Sequence, residues 1–273
     1  MFTRKTCLAS AALAATLVPL TGAQAETDPD DPFTGFYVGV NVGLSRGSFS
    51  IGERTVTRPS ETVPGDDEGD PPIVIPASPV TLAQESATTG ISPVVGGQIG
   101  FNFASRSMLF GIEAEANYAS GGGTSSIVSV EDLADDSTLP ERTLTSDIAL
   151  DPEFSGSARL RVGLRQQDLV YFVTGGIAAA RVETTSTGTT FAPNGEAGIR
   201  TVTASDRATH TGFTGGVGAL GWFGAGALGS VELRYTDYGS QTHGIAGTVD
   251  TPIVATNIGM TAIQLMIRMS YRF

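Results

Sequence analysis

Every second residue from Ile263 to Phe273 is apolar: Ile263, Leu265, Ile267, Met269, Tyr271 and Phe273 alternate with Gln264, Met266, Arg268, Ser270 and Arg272. A two-residue period is that of a β-strand with one apolar and one polar face. Seven more segments repeat it. Phe36, Val38, Val40, Val42 and Leu44 oppose Tyr37, Gly39, Asn41 and Gly43, and Val95, Ile99, Phe101 and Phe103 oppose Gly96, Gln98, Gly100 and Asn102. Met108, Phe110, Ile112, Ala114, Ala116 and Tyr118 oppose Leu109, Gly111, Glu113, Glu115 and Asn117. Phe154, Ala158, Leu160, Val162 and Leu164 oppose Ser155, Ser157, Arg159, Arg161 and Gly163. Leu169 to Val182 is apolar on both faces, which leaves its orientation open. Phe213, Val217 and Ala219 oppose Thr214, Gly216 and Gly218; Val231, Leu233 and Tyr235 oppose Glu232, Arg234 and Thr236. No helical period of similar length follows the N-terminal region.

The connections alternate in length. Tight turns are expected near Ala104 to Ser107, Arg165 to Asp168 and Gly224 to Gly226, and long loops at Ser48 to Val94, Ala119 to Glu153, Glu183 to His210 and Gly239 to Met260. Eight alternating strands with short turns on one side and long loops on the other predict an all-β fold, an eight-stranded antiparallel transmembrane β-barrel with periplasmic turns and extracellular loops. On that topology Phe36, Phe101, Phe103, Phe110, Tyr171, Phe223, Tyr271 and Phe273 gather at one rim, and Tyr118, Phe154, Phe213 and Tyr235 at the other, as two interfacial girdles. A soluble barrel with the apolar set inside is the rival; it would place the charged residues of the strands outside and leave the girdles unexplained.

The N-terminus fits export. Arg4 and Lys5 precede an apolar run, and Ala23-Gln24-Ala25 reads as a cleavage site, so residues 1–25 are expected to be a signal peptide, 26–34 a periplasmic N-terminal segment and 35–273 the barrel domain. The apolar run contains Pro19 and is shorter than the ~18 residues of a membrane-spanning helix. Losing this leader removes Cys7 and two of the 16 basic residues, leaving 16 − 2 = 14 arginines against 28 acids, a charge of −14. That balance excludes a thiol-based metal site and disfavours nucleic acid, which needs a basic patch.

A barrel of eight strands is nearly filled by side chains, so the polar face reads as a packed lumen. Glu113, Glu115, Arg159, Arg161, Glu232, Arg234 and Arg268 are expected to form a buried structural ion-pair network, with Gln98, Asn102, Asn117 and Gln264 completing its hydrogen bonds. No catalytic residue, cofactor or metal site is expected. Three motifs compete with that reading. Gly216-Val217-Gly218-Ala219-Leu220-Gly221 spells a dinucleotide fingerprint, but an alternating strand rather than a helix follows, so the glycines are better read as making room in a narrow barrel. His210 and His243, with Asp237, Ser240 and Asp250, lie near the outer rim and open the alternative of a hydrolase there. Asp66 to Asp70 lacks the spacing of a calcium loop and suits weak divalent-ion bridging to lipopolysaccharide.

Gly35-Phe36-Tyr37-Val38-Gly39, Tyr171-Phe172-Val173-Thr174-Gly175-Gly176, Glu232 to Gly239 and Tyr271-Arg272-Phe273 resemble the small outer-membrane proteins of the porin-like, opacity-type family. The resemblance implies an OmpA-like eight-stranded barrel in the outer membrane, with Tyr271 and Phe273 as a C-terminal signal read by the barrel assembly machinery. It implies no reaction and no C-terminal peptidoglycan-binding domain. The expected function is a structural and surface-interaction protein, not an enzyme, monomeric, in contact with outer-membrane lipid and lipopolysaccharide through acidic loops whose partner is unknown. The alternative is a narrow or gated pore for small solutes.

Overall fold

The alternating segments form strands longer than the apolar pattern alone marks out. The computed structural model describes residues 31–58, 61–63, 73–75, 78–82, 85–105, 107–119, 123–129, 143–191, 200–246 and 253–273. In chain order the strands are β1 (Gly35–Ile51), β2 (Arg54–Arg58), β3 (Glu61–Val63), β4 (Ile73–Ile75), β5 (Ser78–Leu82), β6 (Glu85–Ala104), β7 (Met108–Ala119), β8 (Gly123–Ser129), β9 (Thr143–Gln166), β10 (Leu169–Phe191), β11 (Arg200–Gly224), β12 (Ala227–Ala246) and β13 (Ile253–Arg272). Eight of them pair antiparallel in the order β10-β11-β12-β13-β1-β6-β7-β9, and β9 pairs back onto β10, closing the ring. Closure pairs both edges of each of the eight strands through the middle of the ring, which is what hydrocarbon surroundings demand. β2 pairs with β5 and β3 with β4 as two small ladders, and β8 lies on β9 beyond the end of β7.

The face assignment follows the period. Val40, Ile112, Leu160, Val217, Leu233 and Ile267 are exposed on the outside, Val40 to 65%, while Glu113, Glu115, Arg159, Arg161, Glu232, Arg234 and Arg268 are at most 5% exposed inside. A water-soluble barrel would have the reverse arrangement. β10, ambiguous by pattern, turns Leu169, Tyr171, Val173 and Ile177 outward and Val170, Phe172 and Ala178 inward. Its double apolarity has a cause: Phe172 fills the lumen beneath the Arg161 guanidinium, 4.5 Å from its ring centroid.

The three tight turns fall where expected. β11 and β12 are joined through Ala225 and Gly226 at φ 48° and 79°, the left-handed pair of a type I′ hairpin turn, whose twist matches that of the strands. The long connections differ from the reading of them as loops. Glu183 to Thr190 and Arg200 to Arg207 extend the β10–β11 ladder well beyond the girdle, and β12 and β13 likewise pair up to Ala246 and Ile253. Threonine dominates the β10–β11 extension, and its β preference keeps the ladder going where the apolar alternation has faded.

Two apolar layers bracket the charged mid-section. Phe33, Ala104, Leu109, Val170, Phe172, Leu220 and Leu228 cluster at the end that carries the tight turns. Phe49, Ile51, Ile148, Val182, Tyr238, Ile245, Ile258 and Met260 belong to the cluster at the other end. Phe33 enters the lower layer from the N-terminal segment, held by an Asp31–Arg165 ion pair and by Arg272 Nη1 donating to the Thr34 carbonyl at 2.5 Å.

Candidate functional site

Strand register brings the charged residues to one level. Glu113 on β7 lies directly opposite Arg159 on β9, and Gly111 opposite Arg161, so the glutamate sits between two guanidinium groups. Arg159 pairs with Glu113 and with Glu115 Oε2 (2.7 Å), then reaches across the lumen to Glu232 Oε1 on β12 at 3.0 Å. Arg161 meets Glu113 at 2.7 Å. Arg234 holds both oxygens of Glu115 at 2.8 Å, a bidentate fork across the barrel. Arg268 pairs with Glu232 and with Glu115 at 3.0 Å. All seven expected residues therefore form one connected cluster, four cations against three anions.

The expected polar partners divide. Asn117 donates to Glu115, and Arg234 contacts Gln264 at 3.5 Å. Gln98 instead donates to Ser270 at 2.8 Å, and the Asn102 amide has no partner among the described residues, so neither completes the network. Asn102 lies opposite Gly111, one inward position short of Glu113, whereas Gln98 lies directly opposite Glu115 and nonetheless turns to Ser270 on the far side; Tyr37 occupies the space a larger side chain at Gly100 would need. Two partners missed by sequence fill the vacated roles. Tyr37 donates to Glu113 at 2.7 Å and Thr174 to Glu232 at 2.9 Å. Tyr37 was visible as a polar-face residue, whereas Thr174 lies on the strand whose orientation the pattern left open; only the folded ring shows that both reach the acids.

The glycine run in β11 has a packing explanation. A Cβ on Gly216 would stand 2.4 Å from the Glu232 carboxylate, and one on Gly218 2.6 Å from the Phe172 ring. The strand continues to Gly224 with no helix after it, so the amides do not form a phosphate cradle. Above the network a cavity of about 30 Å³, lined by residues including Ala180, Tyr238, Met260 and Gln264, has room for only a water or two.

At the outer end His210 and His243 are fully buried, ring centroids 5.2 Å apart, with Nε2 atoms at 2.9 Å. His243 Nδ1 meets Thr184 Oγ1 at 3.0 Å and Asp206 Oδ2 at 3.9 Å. Burial holds both imidazoles below their ordinary pKa; His243 adds to the effect on His210, and Asp206 opposes it at His243. The carboxylate beside the pair is Asp206, not Asp237, which accepts from the Gly239 amide. Asp250 and the Asp66 to Asp70 run lie outside the described residues. A hydrolytic histidine offers one nitrogen to a nucleophile and the other to an orienting carboxylate. Here Nε2 of His243 faces another imidazole, so that relay is not assembled.

The C-terminal pair sits at the turn end of the barrel. Tyr271 and Phe273 point outward with their rings 5.2 Å apart and edge to face, and Phe273 donates its amide to the Phe36 carbonyl at 2.9 Å.

Comparison with known proteins agrees with this architecture. Residues 10–273 match the model of the outer membrane protein beta-barrel domain. The 25 kDa outer-membrane immunogenic protein of Brucella abortus is 25% identical over 185 residues, 65% of this chain and 70% of that protein. Among solved structures, Ail, the attachment invasion locus protein of Yersinia pestis, is 8% identical, covering 86% of this chain and 99% of its own, with a TM-score of 0.28. The outer membrane protease OmpT of Escherichia coli is 10% identical, with coverages of 90% and 98% and a TM-score of 0.40.

Proposed function

The chain belongs to the outer membrane protein beta-barrel domain family, and from that premise we propose that it is a closed membrane anchor presenting extracellular hairpins, not a pore and not an enzyme. One observation carries the reading: the lumen is stacked as an apolar layer, a cross-linked charged layer and a second apolar layer. An ion entering from either end would have to pass dehydrated through hydrocarbon side chains and then displace a paired guanidinium, each step costly in a low-dielectric interior. The seven charged residues serve as struts that tie opposite walls together. Outer-membrane lipid and lipopolysaccharide are the surroundings of a monomeric barrel, and nucleic acid is excluded by net charge. The Brucella relatives are described as immunogenic, which suits a surface-presented role.

The polar lumen is what favours the second reading, a narrow or gated pore. Protein refolded into planar bilayers separates the two: the anchor gives no steady single-channel conductance, whereas steady events whose size changes on Arg159→Ala establish the pore. The terminal pair serves as the signal for the barrel assembly machinery. Phe273→Ser is then expected to lower the heat-modifiable, assembled fraction in cells while leaving refolding into detergent intact; equal assembly in cells would remove that role.

A further inference from the structure

The ladder between β11 and β12 ends at Phe213 opposite Asp237, just before a bulge in which Gly239 takes φ 66°. Beyond that point side chains hold the seam: His210 on β11 meets His243 on β12, and Asp206 accepts from the Gly244 amide at 2.9 Å. These are the chain's two histidines, 33 residues apart, and they aim the same nitrogen at each other.

We propose that His210 and His243 form a binding site for an imidazole-preferring divalent transition metal, Zn²⁺, Cu²⁺ or Ni²⁺, that clips β11 to β12 on the extracellular side of the membrane band. Two nitrogens each ~2.0–2.1 Å from a tetrahedral ion stand about 3.3–3.4 Å apart. The 2.9 Å contact is head-on, with the ring centroids 5.2 Å apart, so each imidazole swings sideways as the nitrogens separate by a few tenths of an ångström to reach the ion. As the ion enters, the proton shared between the facing nitrogens moves to Nδ1 of the imidazole that carried it, so that both rings stay neutral and both Nε2 lone pairs are free for the metal. Behind His243, Thr184 and Asp206 stand at Nδ1, where a metal-bound imidazole characteristically donates to an oxygen that fixes its ring. Asp206 is 39% exposed, so the site is reached from the water side rather than from the lipid. Hard cations such as Ca²⁺ and Mg²⁺ prefer oxygen ligands, and among the described residues no carboxylate contacts either Nε2 atom.

The test uses full-length protein extracted from membranes without a histidine tag. Calorimetric titration with CuCl₂ or ZnCl₂ in excess Mg²⁺, which occupies the chain's many carboxylates, is expected to show one site per chain. The Cu²⁺ electron paramagnetic resonance spectrum is expected to carry hyperfine splitting from two nitrogens. His210→Ala and His243→Gln should each abolish that site while retaining the heat-dependent gel shift of a folded barrel. Asp206→Asn should keep the stoichiometry and weaken binding about tenfold. Absence of a Mg²⁺-resistant site, a copper spectrum without nitrogen splitting, or unchanged binding in both histidine variants would overturn the proposal. The spectrum of the unmodified protein decides even if a variant fails to fold. None of these outcomes depends on whether the lumen conducts.

Discussion

Glu115 is the most heavily shared anion of the lumen, accepting from Arg159, Arg234 and Arg268 and from Asn117. Burial of three guanidinium groups is tolerable only while their charge is matched. Glu115→Ala removes both carboxylate oxygens of the bidentate Arg234 fork, leaving it only longer contacts to Glu232 and Gln264, a loss of the order of 3–5 kcal/mol for under-compensating a buried charge. The expected outcome is a fall in the urea midpoint of the detergent-refolded barrel. Adding Arg234→Met to Glu115→Ala should recover part of the loss, because it removes the guanidinium that the first change leaves under-compensated. If both variants unfold with the wild type, the network contributes no stability.

At the scale of elements, the outward apolar positions mark the hydrocarbon band and the strand ends lie beyond it. Ile267 is opposite Val42 and Val231, midway between Ile263, which lies opposite the girdle residue Tyr235, and the girdle residue Tyr271. Along β7, Phe110 and Tyr118 are eight residues apart, about 27 Å at ~3.4 Å per residue, or some 21 Å along the barrel axis at a tilt of ~40°. Ile267→Arg should therefore cost ~2–4 kcal/mol, while Thr203→Arg, on the outer extension of β11, should be near neutral. Urea unfolding from lipid vesicles measures both, and equal effects would mean that the band is misplaced. The same contrast explains what could be read from sequence. Ring membership, strand direction and faces were legible because lipid outside and a polar lumen inside force a strict two-residue alternation on Val38 to Leu44 or Ile263 to Tyr271. The extensions from Glu183 and up to Arg207 were not, since water lies beside them and threonine satisfies either face. The cluster of Glu113, Glu115 and the arginines was legible as shared face and level. Its bonds across the lumen, from Arg159 to Glu232 and from Arg234 to Glu115, were not, since alternation fixes the face of a side chain and not which opposite wall it meets.

For the whole molecule, the asymmetry between the two ends carries a prediction of its orientation. The tight turns at Ser105 to Ser107, Gln167 to Asp168 and Ala225 to Gly226 share one end with the N-terminal segment, because Ala104 donates its amide to Thr34 and Arg165 pairs with Asp31 there. A chain exported behind a leader enters the outer membrane from the periplasm, and burying Phe33 in the barrel base is achieved without moving the N-terminus across the bilayer. Threading the long β10–β11 hairpin outward happens once, during assembly, and its polar residues then remain in water. Single cysteines test this on a clean background, since the chain's one natural cysteine, Cys7, falls within the expected leader. A membrane-impermeant maleimide should label Thr203→Cys on intact cells and label Ala225→Cys only after the outer membrane is permeabilised. Labelling of Ala225→Cys from outside, with Thr203→Cys protected, would invert the molecule in its membrane and move the two-histidine seam to the periplasmic face.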